Sequence, residues 1–338
     1  ILFNSGQLDA AGRDLQTAED LLGSERDREP VSAPHRDQLP ALGRKLLIGR
    51  IAIMRSFLAS FAGDTPAVIQ YARQALEILP QQELTWRSGA YLALGDAYAG
   101  MGHMEEARAA RSEALATGQA SGDPYYLTIV YLSLAETLRQ QGKLREVIDI
   151  CRRRLKIAEE GGFAESELIG WLLGIWADAL AELNDLDHAV DLAQKGAILG
   201  ARGLDVLYKL YSSLYLVRVL FSSGKLSQAE ELIASLEKPA REYDIPIWGA
   251  RSLSAWQARL WLAQGKIEQA SRWVEEEQLH PGTQLAYEHE MTHIVLARAL
   301  IAQGRLHEAD GLLQRLLQAA KAGGRTASVI ELLILRSM

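Results

Sequence analysis

One short string of the sequence has the spacing of a zinc-protease motif. His289, Glu290 and His293 read His-Glu-x-x-His, which would place two imidazoles on one helical face and a glutamate beside a metal-bound water. The string lies in a helical segment where His293 occupies an ordinary packing position, and no third ligand follows at a recognised spacing. Because the pattern leaves two positions free, it often arises by chance. We therefore predict no metal site here.

No other set of residues predicts catalysis. The sequence shows no nucleophile paired with a base, no catalytic pair of carboxylates and no Gly-x-x-x-x-Gly-Lys-Ser/Thr loop for phosphate. We therefore expect neither enzymatic activity nor a cofactor, and we expect the function to be one of binding.

Charge and composition exclude further classes of function. The 338 residues carry 36 basic and 43 acidic side chains, which argues against a general nucleic-acid surface because phosphate binding needs an excess of Lys and Arg. The single cysteine, Cys151, suits a reducing cytosol, and no apolar stretch approaches the length of a membrane span. The lack of a methionine before Ile1 is expected for a piece of a larger protein. We predict a cytoplasmic region that contacts no membrane.

A repeat with a period near forty residues runs along the chain. Its mark is a small residue, followed by an apolar residue two positions later and by alanine or valine five positions later. The small residue recurs at Gly6, Gly63, Gly102, Gly142, Asn184, Gly224, Gly265 and Gly304. After a first interval of 57 residues, the spacing stays between 39 and 42. A period held over this length is typical of a repeat array.

Each copy of the repeat predicts two helices joined by a turn. Apolar residues three and four apart precede the turn, as at Tyr131, Leu134 and Leu138. The turn glycine supplies the left-handed conformation that ends the first helix, and Asn184 tolerates it too. The residue seven before the turn is usually small, which would let a neighbouring helix approach closely: Gly95, Ala135, Ala177, Ala258 and Ala297, with Val217 as the exception.

The predicted fold is all-α: a superhelical array of antiparallel helix pairs. We expect one solenoid over residues 1–338, with about eight repeats, of which the first is truncated and the last is followed by a partial repeat. Residues 24–40 are charged, contain prolines and have few apolar side chains. They are predicted to form a mobile insertion loop.

The small residue before the turn and the alanine after it resemble the pattern of tetratricopeptide repeats (TPR), with a longer period. Residues 255–265, 296–305 and 324–331 look like the C-terminal repeats of large ATP-dependent regulators related to the maltose-regulon activator, the MalT-like regulators. In that family a nucleotide-binding module precedes the repeats and a LuxR-type helix-turn-helix follows them, while the repeats sense the inducer. The resemblance implies that ATP and DNA would be bound only by modules absent from this chain.

One position in each repeat carries a charge where the inner surface is expected. In a stacked array the first helices line the concave side, and the residue six before the turn should face the groove. From the third repeat to the eighth, that residue is Asp96, Glu136, Asp178, Arg218, Arg259 and Arg298 in turn. One interpretation is ion pairing between repeats, with Asp178 meeting Arg218. The other is a polarised groove whose arginine end binds an anionic ligand, with Trp171 and Tyr211 as flat contacts.

Two functions follow from these patterns. The first is the sensing domain of a MalT-like transcriptional regulator, which binds a small-molecule inducer, or a regulatory protein or peptide, in its concave groove. The alternative is a general TPR-type scaffold for protein–protein interaction, unrelated to transcription.

Overall fold

The structure is a computed structural model, and it describes residues 8–24, 41–120, 122–202, 206–242 and 247–338. Within these ranges the chain forms sixteen α-helices and no strand, which confirms the all-α class. The helices are α1 (Leu8–Ser24), α2 (Ala41–Phe61), α3 (Thr65–Ile78), α4 (Leu84–Gly100), α5 (Met104–Gln119), α6 (Pro124–Gln140), α7 (Leu144–Glu160), α8 (Glu167–Glu182), α9 (Leu186–Gly200), α10 (Val206–Ser222), α11 (Leu226–Glu242), α12 (Ile247–Ala263), α13 (Ile267–Glu276), α14 (Glu290–Ala302), α15 (Leu306–Ala322) and α16 (Thr326–Ser337).

The predicted turn residue joins the two helices of each pair. Even-numbered helices from α2 to α14 are the first helices, and the following odd-numbered helices are the second. The turn glycines from 63 to 304 have φ between 71° and 79°, and Asn184 has φ of 65°. This left-handed conformation lets the chain reverse directly, so that the two helices run antiparallel. The first predicted turn, at Gly6, lies outside the described residues.

The core lies between the layer of first helices and the layer of second helices. The residue five after the turn is at most 2% exposed at all seven described turns from Gly63 to Gly304: Val68, Ala107, Val147, Ala189, Ala229, Ala270 and Ala309. The residue seven before the turn is buried in all six repeats where we predicted a close contact. Small side chains at these two positions set the distance between the helices, as the repeat pattern predicted.

Replacing Ala177 by leucine is expected to destabilise the chain by about 1–3 kcal/mol, because its site on α8 is fully buried and has no room for three more carbons. Urea unfolding of the variant measures this. Ala109→Leu is the matched control, since Ala109 lies on the exposed face of α5. Equal unfolding midpoints for the Ala177 variant and the parent would contradict the packing.

Helices α8 and α9 approach each other more closely than side chains would permit. A Cβ atom on Gly170 would lie 2.6 Å from the carbonyl oxygen of Gly196 and 2.5 Å from the backbone nitrogen of Gly200. The two backbones are therefore in direct contact, which only glycine allows. This contact fixes the position of α8, the helix that carries Trp171 and Asp178.

The array curves until the turn between α15 and α16 meets the turn between α4 and α5. The backbone N–H of Met104 donates to the carbonyl of Gly323 at 3.0 Å, and Arg325 Nη1 donates to the carbonyl of Gly102 at 2.8 Å. The second bond joins residues that are 223 positions apart. The superhelix therefore closes on itself, with the first helices along its inner wall.

A buried ion pair holds this closure. Arg325 binds the Glu290 carboxylate through Nε at 2.8 Å and through Nη2 at 2.7 Å, and Ser328 Oγ donates to the same carboxylate at 2.6 Å. The Arg325 and Glu290 side chains are only 4% and 8% exposed. Arg325 also lies 5.0 Å from the ring centroid of Tyr287. We call the following set the closing junction: Gly102, Met104, Glu290, Gly323, Arg325 and Ser328.

Two further predictions concern the chain as a whole. Ser24 is the last residue of α1, and residues 25–40, where we predicted a mobile loop, lie outside the described residues. Among the helices that the structure describes, none is both long enough and apolar enough to cross a membrane.

Candidate functional site

The charged position six before each turn lies on the first helices α4, α6, α8, α10, α12 and α14. At the N-terminal end, Asp96 accepts a hydrogen bond from Arg111 Nη2 of α5 at 2.6 Å. Arg111 is buried and also donates to the carbonyl of Ser133 on α6 at 2.7 Å. Asp96 thus belongs to a structural ion pair that ties one repeat to the next.

A network of two acids and two arginines follows in the middle of the wall. Arg218 holds Asp178 with two hydrogen bonds, from Nε at 2.7 Å and from Nη2 at 3.1 Å. Arg139 bridges Asp178 at 3.3 Å and Glu136 at 3.2 Å, and the Tyr215 hydroxyl donates to Glu136. The charges in this network balance, and the predicted meeting of Asp178 and Arg218 is present.

The Asp178 carboxylate is nearly enclosed by this network, with 4% of its side chain exposed. Burial disfavours its ionised form, but the charges of Arg218 and Arg139 outweigh that effect and lower the pKa of Asp178 below its ordinary value. The pKa of Glu331, on α16, is lowered in the same way: burial opposes its ionisation, and Arg259 and Arg298 outweigh burial.

These two lowered pKa values predict a loss of stability in acid. Above about pH 5 both carboxylates are ionised in the folded and the unfolded chain, so their ion pairs contribute fully. As the pH falls below about 4, the unfolded chain takes up protons that the folded chain does not, and this contribution is lost as the pH passes through the folded-state pKa values. Urea unfolding at pH 5, 4 and 3 measures the effect, and Asp178→Asn should flatten it. An unchanged pH dependence in that variant would contradict the assignment.

The C-terminal end of the wall has two arginines for one carboxylate. Arg259 Nη1 and Arg298 Nη2 donate to the same oxygen, Glu331 Oε1, at 2.7 and 2.8 Å. The Nε atoms of both arginines are buried and have no hydrogen-bond partner among the described residues. We call Arg259 and Arg298 the arginine pair. Its donors exceed the acceptors that Glu331 supplies.

Aromatic rings contact two arginines of the wall, Arg218 and Arg259. The guanidinium groups of Arg218 and Arg259 lie 5.5 and 5.0 Å from the ring centroid of Trp256, and Arg259 lies 5.2 Å from that of Phe221. Such cation–π contacts fix the orientation of a guanidinium and leave its edge available for hydrogen bonds. Arg259 is thus held in place by Trp256 and Phe221 without a full set of polar partners.

The electrostatic surroundings of Arg259 reflect this excess of positive charge. Burial lowers the pKa of Arg259, Glu331 opposes the shift, and the neighbouring Arg298 and Arg218 add to it. Arg298 and Glu331 keep 27% and 28% of their side chains exposed. Arg298 is therefore partly accessible, and an added anion there would relieve an unbalanced charge.

We expected Arg259 to project freely into the groove, and that expectation was wrong. Its side chain is mostly buried between Trp256 and Phe221 and is paired with Glu331. The partner comes from α16, 72 residues further along the chain, and not from the neighbouring first helix. Of the two arginines, Arg298 is the more exposed.

Trp171 and Tyr211 stack on each other, with ring centroids 4.4 Å apart and an interplanar angle of 3°. One face of each ring is therefore already covered. They precede Asp178 and Arg218 by seven residues, or about 10 Å along their helices. Trp171 Nε1 is buried without a hydrogen-bond partner among the described residues. The pair lies on the same wall as the ion pairs, at a different level.

The comparisons with known proteins agree with this architecture. The family model of the MalT-like TPR region matches residues 49–338. The chain belongs to the MalT-like TPR family. No curated protein matches it.

Two solved structures resemble this MalT-like TPR chain in fold. The Rap protein complexed with Competence and Sporulation Factor has a TM-score of 0.63 at 13% identity, and the match covers 99% of this chain and 94% of that protein. The Rap conjugation gene regulator of plasmid pLS20, in complex with the Phr* peptide, has a TM-score of 0.62 at 16% identity over 90% and 84%. Identities this low show a shared fold.

The His-Glu-x-x-His string of this MalT-like TPR chain is divided between two elements. His289 ends a 3-10 turn, and α14 begins at Glu290. His293 is buried and its Nδ1 contacts the carbonyl of His289 at 2.8 Å. Glu290 is buried in the closing junction, where it is paired with Arg325. Among the described residues, no group of three or more His, Cys, Asp or Glu is placed to hold a metal ion.

Sequence reasoning missed three residues of the wall: Arg139, Tyr215 and Glu331. Arg139 lies one helical turn after Glu136, on the same face, so its pairing was open to prediction. Glu331 lies 120 residues after Tyr211 and 160 after Trp171, which places it three and four forty-residue periods later in the same row. The position of Glu331 in this row was the sequence signal that its side chain faces the inner wall.

Proposed function

We propose that this chain is the effector-sensing region of a MalT-like transcriptional regulator, and that its effector presents an anionic group to the arginine pair. One observation carries the proposal: two guanidinium groups share a single carboxylate oxygen while their buried Nε atoms have no partner among the described residues. A carboxylate or phosphate on the effector would supply further acceptors for these guanidinium groups and the missing negative charge. Such groups are bound most tightly where they meet arginine with two hydrogen bonds.

Among anionic effectors, a peptide or peptide-like molecule with a carboxylate is the proposed class. A concave wall of first helices suits an extended ligand. The Rap conjugation gene regulator, which shares the fold, is in complex with a peptide. A small-molecule inducer with a carboxylate would use the same arginines. ATP and DNA would be bound by other regions of the regulator, in the cytoplasm.

The alternative is a protein-interaction scaffold that has no role in transcription. TPR arrays of both kinds present the same type of surface, so the family alone does not separate them. A scaffold would bind its partner across a broad surface, where one arginine contributes little. An effector sensor concentrates its affinity in a few enclosed contacts.

Affinity selection tests the proposal with a mixture of short peptides that have free carboxylates. The wild-type chain is expected to enrich a subset of the mixture. Arg298→Ala should weaken the enriched peptides by roughly tenfold or more, because a charge-assisted hydrogen bond contributes about 1.5–3 kcal/mol. Arg298 is preferred to Arg259 for this test, since Arg259 also packs on Trp256 and its loss would lower stability.

Arg272→Ala is the matched control for the selection. Arg272 is an exposed arginine on α13, in the outer layer of the array. Its replacement changes the net charge by the same amount and should leave the enriched peptides unchanged. Equal enrichment by the wild type and Arg298→Ala would contradict the proposed site.

A further inference from the structure

Glu331 lies in the place that the effector's anion is proposed to take. It belongs to α16, and its Oε1 accepts the hydrogen bonds that Arg259 and Arg298 direct at the inner wall. An intramolecular carboxylate at this position would compete with any incoming anion, because both need the same donors. The outcome of this competition depends on how many hydrogen bonds Glu331 accepts from the two arginines.

Glu331 accepts only some of the hydrogen bonds that the arginine pair can donate. Each arginine gives it one hydrogen bond, and both bonds end on one oxygen. The two-bond fork between guanidinium and carboxylate, seen between Arg218 and Asp178, is not formed here. A ligand carboxylate that accepts two hydrogen bonds from one of these guanidinium groups would form that stronger arrangement. Glu331 is therefore an occupant that a ligand can displace.

The helix that carries Glu331 packs against α15 through buried leucines. Leu332 and Leu335 are buried in the core beside α15, whereas Ile330, Leu333 and Ile334 are about half exposed. Glu331 lies one helical turn after Ser328 and one turn before Leu335, so these three side chains share the inward face of α16. A displacement of Glu331 would therefore act on Ser328 and on its contact in the closing junction.

The same helix takes part in the closing junction. Ser328, one helical turn before Glu331, donates to Glu290, and Arg325 directly precedes the helix. Arg325 in turn donates to the carbonyl of Gly102. The Met104 N–H lies in the first turn of α5, where no helical acceptor is available, so its protection depends on Gly323. A shift of α16 would therefore act on the closure through residues next to it in the chain.

From these contacts we infer that α16 is an internal competitor for the effector site: Glu331 occupies the arginine pair until an anionic effector displaces it, and the displacement loosens the closing junction. This inference rests on the proposed function for the identity of the effector. The competition itself is a property of Glu331 and the arginine pair. A state with Glu331 bound and the superhelix closed thus exchanges with a state in which the effector is bound and the junction is open.

Inorganic phosphate is the probe for the competition, because it needs no knowledge of the effector. Glu331→Gln removes the competing charge and keeps the side-chain shape, so phosphate should bind at least about tenfold more tightly than to the wild type, as measured by phosphorus NMR titration. Glu331→Gln combined with Arg298→Ala should lose this gain. Glu308→Gln is the matched control: Glu308 pairs with Arg305 at 2.7 Å on the surface, and its loss should not create a phosphate site.

Hydrogen exchange at the Met104 amide measures the link to the closing junction. Exchange should be several-fold faster in Glu331→Gln than in the wild type. The amide of Leu132, in the fully buried part of α6, should stay protected in both and so excludes general unfolding. An unchanged rate at Met104 would overturn the link.

The outcomes separate this inference from the proposed function. A phosphate affinity in Glu331→Gln within twofold of the wild type would overturn the competition, even if the wild type enriches peptides. A gain in phosphate affinity, together with no enriched peptide, would support the competition and contradict the proposed peptide effector.

Discussion

Replacing Arg325 by methionine is expected to destabilise the chain by about 3–5 kcal/mol. Methionine keeps the apolar stem but removes the charge, which leaves the buried Glu290 carboxylate without its partner. The carbonyl of Gly102 also loses its donor. These contacts join the turn between α4 and α5 to the turn between α15 and α16. The loss of these contacts should therefore lower the free energy of unfolding and speed hydrogen exchange at Met104.

Arg336→Met is the control for this prediction. Arg336 lies on the same helix and pairs with Asp310 at 3.0 Å, but both side chains are partly exposed. Exposed ion pairs contribute about 0–1 kcal/mol, so this variant should unfold close to the wild type. If Arg325→Met also stayed within 1 kcal/mol of the wild type, the closing junction would not hold the superhelix together.

Replacing Asp178 by asparagine is expected to cost about 3 kcal/mol of stability. Asparagine has nearly the same shape, so the loss would come from the charge that Arg139 and Arg218 share. The expected value is at the low end of the range for broken buried ion pairs because Arg218 remains a quarter exposed. Urea unfolding at pH 7 measures the effect.

Asp149→Asn provides the matched control for Asp178→Asn. Asp149 pairs with Arg152 at 3.7 Å on the outer face of α7, where both side chains are largely exposed. Its replacement should change the free energy of unfolding by less than about 1 kcal/mol. Equal effects of the two substitutions would show that the inner-wall network adds no more than a surface ion pair.

The helix pairs were predictable from the sequence because their causes are local. A left-handed turn residue, a small residue seven positions before it and an alanine five positions after it define each pair, and they recur often enough to be recognised. Asn184 illustrates this, since it replaces the turn glycine and keeps its conformation. The ion pair between Asp178 and Arg218 followed from the same period, because equivalent positions on neighbouring first helices face each other.

The closing junction was not predictable, because it depends on the curvature of the whole array. Small rotations between successive repeats add up, and nothing in a single repeat shows that Gly102 will meet Arg325. The close contact of α8 and α9 has a similar cause: Gly170 and Gly196 lie outside the repeat pattern, and their role appears only when the two helices are placed together. The pairing of Arg259 with Glu331 was missed because the two residues are 72 positions apart and meet across a repeat that lies between them.

A double-mutant cycle between protein and peptide measures whether the arginine pair binds a carboxylate of the effector. Each carboxylate of an enriched peptide is replaced in turn by a carboxamide, and the dissociation constants are measured by calorimetry with the wild type and with Arg298→Ala. One replacement should weaken binding to the wild type by roughly tenfold or more and change binding to Arg298→Ala by less than about twofold. If every carboxamide had the same effect on both proteins, the carboxylate would not be bound by the arginine pair.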